Sequence, residues 1–346
     1  MPDVYAAALA GYATDFAELG VRAWTEKGWW DSPAAVGDVL APLLGAPAGS
    51  VVMLPNVTVA EWVVASCFDW SGPRRRVVYE AQNFPSVMYA WNAHPAAEVV
   101  VVEHSDRLLE AIDERTLLVP ISHVQFKTAH MVEVEAIARR CDEVGAHLVL
   151  DVYQSAGAVP LRLSEWGVSF AVGGSVKWLC AGPGAGYLYV RPDLRDRLQP
   201  RLTGWQAHAR PFAFEPGPID YTSASMLRFA HGTPAVPALL GARASFELIA
   251  AVGVEAIRSR SLALTQHLIE GALQRGLSVG SEMRPERRGG SVVLRVADEA
   301  AAEARLASLG ILVDSRPGAG VRIGPHFFNT VAELDRVLDA LAGDAH

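Results

Sequence analysis

Asp151 and Lys177 are the residues of this chain whose types and positions best suit chemistry. Asp151 ends the apolar run 147–151, and Lys177 follows the apolar run 170–174. A lysine placed there loses hydration, which lowers its pKa and frees its amine to bond covalently with carbonyl groups. A nearby carboxylate can hold a proton on a ring nitrogen. Pyridoxal phosphate (PLP) needs both groups, so we predict Lys177 and Asp151 to be catalytic residues of a PLP site.

Further loops after predicted strands carry groups that suit the same cofactor. Residues 55–58 precede a predicted helix, where Thr58 is expected to be the N-cap and free N–H groups would receive a phosphate. Phe84 precedes the helix-starting Pro85, so its ring could lie on a pyridine ring. Gln154 could reach the phenolic oxygen. Taken singly, each residue is more typical of a cap, a core or a turn, but one cofactor explains their joint occurrence.

Two downstream features extend this pattern. Thr233, just before a long predicted helix, could hold phosphate through its hydroxyl and neighbouring N–H groups, or simply open the helix. Arg322, in a short predicted strand, could clamp an amino-acid carboxylate in a bidentate way, or lie on the surface. The glycine-rich run 182–186 leads into a strand and not into a helix, so it is not a dinucleotide-binding motif.

Composition excludes several classes of function. The 346 residues are 51% hydrophobic with a formal net charge of −8, which allows a large core but gives no basic field for nucleic acid or an anionic membrane. Cys67, Cys141 and Cys180 are far apart, so neither a disulfide framework nor a metal site is expected. The first residues lack the basic region with which a signal peptide begins, and no apolar stretch is long enough to span a membrane. We therefore expect a cytoplasmic protein.

Strand-like runs alternate with helix-like stretches through the first 190 residues. This alternation, with several runs apolar throughout, predicts an α/β fold with a mainly parallel sheet covered on both faces. The predicted strands are residues 51–54, 77–80, 98–103, 117–123, 147–151, 170–174 and 186–190, and the predicted helices include 59–68, 85–92, 107–113 and 133–144.

The chain after residue 192 has a different pattern. A helical region is predicted over 238–275 with a break at Gly253, followed by strands at 291–296, 311–314 and 321–324 and helices at 299–309 and 331–341. We expect an N-terminal helical segment (1–40), a large PLP-binding domain (41–240), and long connecting helices with a small C-terminal α/β domain (241–346).

The sequence resembles the aminotransferase class V branch of the fold-type I PLP enzymes, and within that branch it is most similar to kynureninases. The residues that carry the resemblance are 24–31, 43–46, 56–59, 83–86, 151–157, 177–185 and 204–205. The resemblance implies a large domain with a seven-stranded, mainly parallel sheet sandwiched by helices, a smaller C-terminal α/β domain, and a homodimer with active sites at the subunit interface.

The resemblance also implies roles for particular residues. Lys177 would carry PLP, Asp151 would bind its ring nitrogen and Phe84 would stack on its ring. Phosphate would be held by Val57, Thr58 and Ser86, and the further cofactor contacts would come from Ser122, Gln154 and Ser175, and, from the partner subunit, from Trp205, His231, Gly232 and Thr233. The substrate would be a small amino acid, bound by Arg322 and Trp29.

Kynureninases hydrolyse L-kynurenine to anthranilate and alanine, and this hydrolase or lyase chemistry is the activity that the resemblance favours. Val176 stands where the family has a tyrosine, and Gln154 where kynureninases have a histidine. Two alternatives stay open: a class V aminotransferase or desulfurase-like transferase acting on another amino acid, and a homologue without catalysis. A desulfurase needs a cysteine in a mobile loop near the small domain, and none of the three cysteines lies in that region.

Overall fold

A seven-stranded sheet forms the centre of the computed structural model, which describes residues 2–342. Its strands are β1 (Val51–Leu54), β2 (Arg76–Glu80), β3 (Glu98–Val102), β4 (Thr116–Ser122), β5 (His147–Asp151), β6 (Phe170–Gly174) and β7 (Gly186–Val190). Their order is β1-β7-β6-β5-β4-β2-β3. Strand β7 is antiparallel to β1 and β6, and the other neighbours are parallel. The predicted mainly parallel sheet of seven strands is confirmed.

Both faces of this sheet are apolar because successive side chains of a strand point to opposite faces. In β5, Leu148 and Leu150 belong to one buried cluster, whereas Val149 belongs to another. Strand β1 divides in the same way, with Val51 in the first cluster and Val52 in the second. Two separate hydrophobic layers therefore hold helices against the sheet.

Helices cover the two faces, as the predicted sandwich requires. The α-helices of residues 2–274 are α1 (Asp3–Leu19), α2 (Ala23–Glu26), α3 (Ser32–Leu40), α4 (Val57–Ser66), α5 (Pro85–Asn92), α6 (Leu108–Ala111), α7 (Val134–Val144), α8 (Pro192–Arg195), α9 (Val236–Val252) and α10 (Val254–Gln274). Apolar residues of α4 and α5 pack in one layer, and those of α3, α7 and α9 pack in the other. The predicted helix 107–113 is shorter than expected, because Ile112 is extended and the Thr116 hydroxyl accepts the Asp113 N–H.

A second, antiparallel sheet lies in the C-terminal part of the chain. Its order is β10 (Asp314–Arg316), β11 (Gly320–Ile323), β9 (Val292–Arg295) and β8 (Ser278–Val279), and it packs with α10, α11 (Glu299–Ser308) and α12 (Val331–Leu341). The predicted strand 311–314 is wrong. The turn before β11 sets the register and pairs Asp314 with Arg322, so the ladder ends there and Leu312 remains 92% exposed. Strand β8 was not predicted.

The chain changes direction at Gly253, where α9 and α10 meet at 78°. Gly253 has φ +87°, which glycine adopts without the steric cost that a Cβ would bring. Helix α9 packs against the large sheet and α10 against the small one. The three-part division at 40 and 240 stays a proposal, and this packing favours a second boundary near Gly253. Its outer ends, residue 1 and residues 343–346, lie outside the described residues.

Within residues 2–342, no single helix has both the length and the apolar character to cross a membrane. Helices α9 and α10 meet those criteria only when taken together as a bent pair.

Candidate active site

The N-terminus of α4 lies directly after β1 and presents backbone N–H groups to a cavity. Asn56 is the N-cap, because its Oδ1 accepts a hydrogen bond of 3.0 Å from the N–H of Val59. The prediction that Thr58 caps this helix is wrong, since Thr58 lies inside its first turn. The first N–H groups of a helix have no acceptor within it, so those of Val57 and Thr58 suit an anion. Gly186 permits the approach: a Cβ there would lie 2.6 Å from Asn56 Cα.

Asp151 is a buried acid at the carboxyl end of β5. Its side chain is held by the N–H of Tyr153, which donates to Oδ1 at 2.8 Å, and the residue is only 6% exposed. Burial raises the pKa of Asp151 to about 6, against the opposing effects of the Tyr153 N–H and the Lys177 charge. A positively charged ring nitrogen would stabilise the ionised form of such an acid.

Lys177 reaches the same cavity from the segment after β6. Its Nζ lies 4.7 Å from the ring centre of Tyr153 and 5.7 Å from that of Phe84. The amide oxygen of Gln154, turned toward it, accepts from Nζ at 3.0 Å. Burial lowers the pKa of Lys177 to about 8, and the charge of Asp151 opposes this shift. A usable fraction of this amine is therefore neutral near physiological pH.

Phe84 is fixed at the start of α5 by its buried neighbour Asn83. Asn83 donates to the Pro120 carbonyl at 2.7 Å and accepts from the Ser122 N–H at 2.8 Å, which ties the loop to β4. The Phe84 ring is 39% exposed and contacts Phe126 edge to face at 5.4 Å. One face of an aromatic ring is thus offered to the cavity, as stacking on a planar ligand requires.

These elements enclose one cavity of about 260 Å³. Eight residues singled out in the sequence line it: Val57, Thr58, Phe84, Ser86, Ser122, Asp151, Gln154 and Lys177. Sequence reasoning missed four others, Asn56, Val124, Phe126 and Tyr153. Tyr153 and Phe126 could have been suspected, because each follows closely on the end of a strand whose last residues were already assigned to the site.

Glu61 is a buried acid on α4 that sequence reasoning also missed. It is 1% exposed, and its Oε2 accepts from Trp91 Nε1 at 3.0 Å. Burial raises the pKa of Glu61 to about 8, and the negative charge of Asp151 adds to this effect. Glu61 is therefore mostly protonated at neutral pH. In the sequence it looked like one polar residue in an ordinary amphipathic helix.

Seven predicted site residues do not line this cavity, and for two of them, Ser175 and Trp29, burial explains it. The hydroxyl of Ser175 donates to the Gly182 carbonyl at 2.9 Å, and the residue is 1% exposed. Trp29 is 2% exposed and packs among the aromatic rings of Tyr12, Phe16 and Trp24. The expectation that Trp29 contacts the substrate is corrected accordingly, because its side chain has almost no free surface.

The residues expected to serve a partner subunit lie outside this cavity. Trp205 is 41% exposed and contacts the rings of Trp30 and Phe212. The segment His231–Thr233 lines a separate cavity of about 100 Å³, together with Pro55 beside the α4 N-terminus. Their predicted contact with the cofactor of a partner subunit stays a proposal.

Arg322 lies in a second cavity, of about 400 Å³, that also includes Lys177 and Gln154. Its Nη1 donates to the Phe126 carbonyl at 2.9 Å, and its Nε and Nη2 donate to Asp314 at 2.9 and 2.5 Å. The second cavity is further lined by Trp178, Ser291, Leu312, Val313, Gly324 and His326. Arg322 and Lys177 therefore line the same cavity, and the guanidinium of Arg322 is already paired. Its predicted role in binding the substrate stays a proposal.

The chain belongs to the class V aminotransferases, a PLP-dependent family, because the family model described as "Aminotransferase class-V" matches residues 34–336. An uncharacterized aminotransferase, YcbU, of Bacillus subtilis is 31% identical over 310 residues, which are 87% of this chain and 81% of that protein. The kynureninase of Pseudomonas fluorescens is 31% identical over 321 residues, which are 88% and 76% of the two chains. The predicted kynureninase-like membership is confirmed.

Solved structures show the same fold. A complex of the cystine C–S lyase C-DES with cysteine persulfide superposes with a TM-score of 0.88 at 19% identity, covering 100% of this chain and 95% of that one. Cysteine desulfurase of Thermococcus onnurineus NA1 gives 0.86 at 19% identity, covering 100% and 92%. At this identity the likeness shows the fold of PLP enzymes alone.

The residues of the first cavity fit PLP. A half-buried amine, a buried acid, an exposed aromatic face and a helix N-terminus with free N–H groups are what its aldehyde, ring nitrogen, ring plane and phosphate respectively require.

Proposed function

We propose that this chain is a PLP-dependent enzyme of kynureninase type, which cleaves a bond beyond the α-carbon of an amino acid. Our best single candidate for the reaction is the hydrolysis of L-kynurenine to anthranilate and alanine. The observation that carries the proposal is the meeting of Lys177 and Asp151 in one cavity, in a chain 31% identical to a kynureninase. The more general class, a PLP enzyme acting on a small amino acid, follows from the family.

Lys177 is proposed to take and return the proton at the substrate α-carbon. A general base works best when its pKa lies near the working pH, and burial brings the pKa of Lys177 to about 8. Gln154 contacts Nζ at 3.0 Å and would orient the amine toward the reacting atom. Val176 beside it is aliphatic and moves no proton.

Other residues are proposed to hold the cofactor and the substrate. When bound, PLP supplies an aldehyde that links covalently to amines and a ring that withdraws electrons from the α-carbon. Asp151 would keep the proton on the ring nitrogen through a charge-assisted bond. Val57, Thr58 and Ser86 would bind the phosphate, with Phe84 against the ring and Ser122 at its edge. Arg322 would receive the α-carboxylate of the substrate.

We further propose a homodimer that works in the cytoplasm. Exposed aromatic side chains support the interface: Trp205, Phe212 and Phe214 are 41%, 61% and 75% exposed and contact one another. Apolar patches of this kind mark protein–protein contacts. Cysteines that are free within the described residues support a reducing compartment.

Amino-group transfer is the second candidate function, and the 31% identity with the aminotransferase YcbU favours it. The same amine, acid and carboxylate-binding arginine would serve that reaction, so the outcome depends on which bond of the substrate breaks. Desulfurase-like chemistry has less support, because burial raises the pKa of Cys180 to about 11 and leaves it a thiol.

The test is an assay of purified enzyme with L-kynurenine, in which anthranilate and alanine are measured by chromatography. We expect equal amounts of both products, and none from Lys177→Ala, which should also lose the yellow colour of bound PLP. Lys27→Ala is the matched control, since Lys27 pairs with Asp15 on the surface. Keto-acid-dependent amino exchange without anthranilate would favour the aminotransferase, and colourless wild-type protein that never takes up PLP would favour a homologue without catalysis.

A further inference from the structure

The second cavity contains an acid, Asp314, on the arginine that is proposed to bind the substrate carboxylate. Asp314 begins β10 and, by strand register, lies opposite Arg322. Its carboxylate accepts from Nε and Nη2 of Arg322 at 2.9 and 2.5 Å, which is the side-on geometry that an arginine offers to a carboxylate. Asp314 therefore occupies the face of Arg322 that recognises carboxylates in general.

The rest of the Arg322 guanidinium is engaged as well. Nη1 donates to the Phe126 carbonyl at 2.9 Å and lies 3.3 Å from the amide oxygen of Gln154. The side chain is only 13% exposed. A carboxylate entering the cavity must therefore replace an existing partner, and the backbone carbonyl of Phe126 is fixed by the fold. Asp314, a short side chain that is 34% exposed, is the partner best able to leave.

Asp314 has a second cation available when it leaves. Arg316 donates from Nη2 to Asp314 Oδ2 at 2.7 Å, and this arginine is 37% exposed and borders the solvent. Between Asp314 and Arg316 on β10, Ser315 is fixed by its N–H and hydroxyl, which donate to Glu303 at 2.9 and 2.5 Å. The backbone of β10 is thus held in place, and rotation of the Asp314 side chain alone would transfer it from Arg322 to Arg316.

We propose that Asp314 sets the affinity of this cavity for carboxylates: it competes with the substrate carboxylate for Arg322 and keeps only its pairing with Arg316 when that carboxylate binds. This inference rests on the proposed function, in which Arg322 receives the α-carboxylate of an amino acid. The exchange keeps every charge paired only when the ligand brings a carboxylate of its own. An amine without a carboxylate leaves Asp314 on Arg322, so this competition affects only ligands that carry a carboxylate.

The experiment measures the affinity of the PLP-loaded enzyme for propionate by calorimetry. Propionate has a carboxylate but no amine, so its binding reports on Arg322 without any turnover. Removing the internal competitor in Asp314→Asn should tighten propionate binding by about 3–10-fold, because the competent state of Arg322 is no longer only partly populated. Arg316→Gln should weaken it by about 2–5-fold, since Asp314 then loses its alternative partner. Propionamide should bind none of these proteins measurably.

Two controls show whether the change in propionate affinity comes from the Asp314–Arg322 pair. Asp339→Asn is matched in chemistry, because Asp339 also accepts from Nε and Nη2 of one arginine, Arg275, on the same part of the chain. It should leave the affinity for propionate unchanged. The gain of Asp314→Asn should disappear when Arg322→Gln is added.

Unchanged or weaker binding in Asp314→Asn would overturn the proposal, the latter because Asp314 would then align Arg322 for the substrate. Absence of propionate binding in all variants would overturn it too. The proposed function fails by a different observation, the absence of anthranilate from L-kynurenine, and that result leaves the propionate series interpretable.

Discussion

The two cavities that meet at Lys177 are built in different ways. The first is assembled from the carboxyl ends of neighbouring strands of the large sheet, where Asp151 and the loops carrying Phe84 and Thr58 converge. The second is closed by the small antiparallel sheet, whose β10 and β11 bring Asp314 against Arg322. The first therefore depends on which residues end the strands, and the second on the register of a hairpin.

This difference also separates the chemistry of the two sides. The first cavity contains a buried acid and a half-buried amine whose pKa values are shifted toward neutrality, Asp151 to about 6 and Lys177 to about 8. Such shifts are typical of groups that take part in proton transfer. The second contains Arg322 paired with one acid, Asp314, and an arginine of this kind suits recognition of a charged group. We infer that cofactor chemistry belongs to the large sheet and substrate selection to the small one.

Substitutions in the first cavity, the cofactor side, and in the second cavity, the substrate side, are predicted to affect different measurements. The largest effect is expected on the cofactor side. Asp151→Asn keeps an oxygen for the Tyr153 N–H but loses the charge that faces the ring nitrogen. We expect kcat to fall by about 10²–10³-fold and PLP to be held more weakly. Arg322→Gln should instead raise KM and leave the PLP content unchanged.

Absorbance of bound PLP after dialysis, together with kcat and KM, checks this pair. Asp142→Asn is the control for Asp151→Asn, because Asp142 is an exposed acid that pairs with Arg191. If Arg322→Gln released PLP as readily as Asp151→Asn does, the division between a cofactor side and a substrate side would be wrong.

A second prediction concerns stability and the neutral acid behind the first cavity. The pKa of Glu61 is about 8 in the folded protein, against 4.5 for an ordinary glutamate. As pH rises from 4.5 to 8 the unfolded chain loses this proton while the folded chain keeps it, so stability falls over that range and levels off above it. In Glu61→Gln this loss of stability does not occur. The free energy of unfolding of the variant relative to wild type should therefore grow by roughly 3–5 kcal/mol between pH 5 and 8.5.

Urea unfolding of wild type and Glu61→Gln at several pH values measures this difference in free energy of unfolding. Gln can still accept the hydrogen bond from Trp91 Nε1, which makes it a close replacement. Glu135→Gln, at an exposed position on α7, is the control for replacing a glutamate by a glutamine. If the stability difference between Glu61→Gln and wild type did not change with pH, Glu61 would be ionised inside the folded protein.

The sequence predicted the first cavity far better than the second, and the reason is physical. Strands buried on both faces are apolar runs, so their ends are visible, and polar residues such as Asp151 stand out there. In the small sheet, Ile311 and Val313 looked like a strand because they are apolar, but the ladder follows the turn before β11. Arg322 was found by its residue type, whereas its pairing with Asp314 depends on register and could not be read from the sequence.

The burial of individual side chains could not be predicted from the sequence either. Trp29 lies in a segment that resembles the family, yet the structure packs it among other aromatic rings. The Thr58 cap was misassigned because Asn56 and Thr58 are both good N-cap residues, and only the backbone conformation of Asn56 decides between them.

The smallest expected effect concerns Cys180, which follows Lys177 by three residues and contacts His326 of the second cavity. Its Sγ lies 3.0 Å from His326 Nε2, and burial holds the pKa of the thiol at about 11 and that of His326 at about 4. The pair is therefore neutral, and a neutral thiol is a poor nucleophile. We expect Cys180→Ala to keep kcat within about two-fold of wild type and to lose about 1 kcal/mol of stability with the hydrogen bond. Cys67→Ala is the control. Loss of turnover in Cys180→Ala with PLP still bound would instead make this thiol a reacting group, and would shift the chemistry from the large sheet to its contact with the small one.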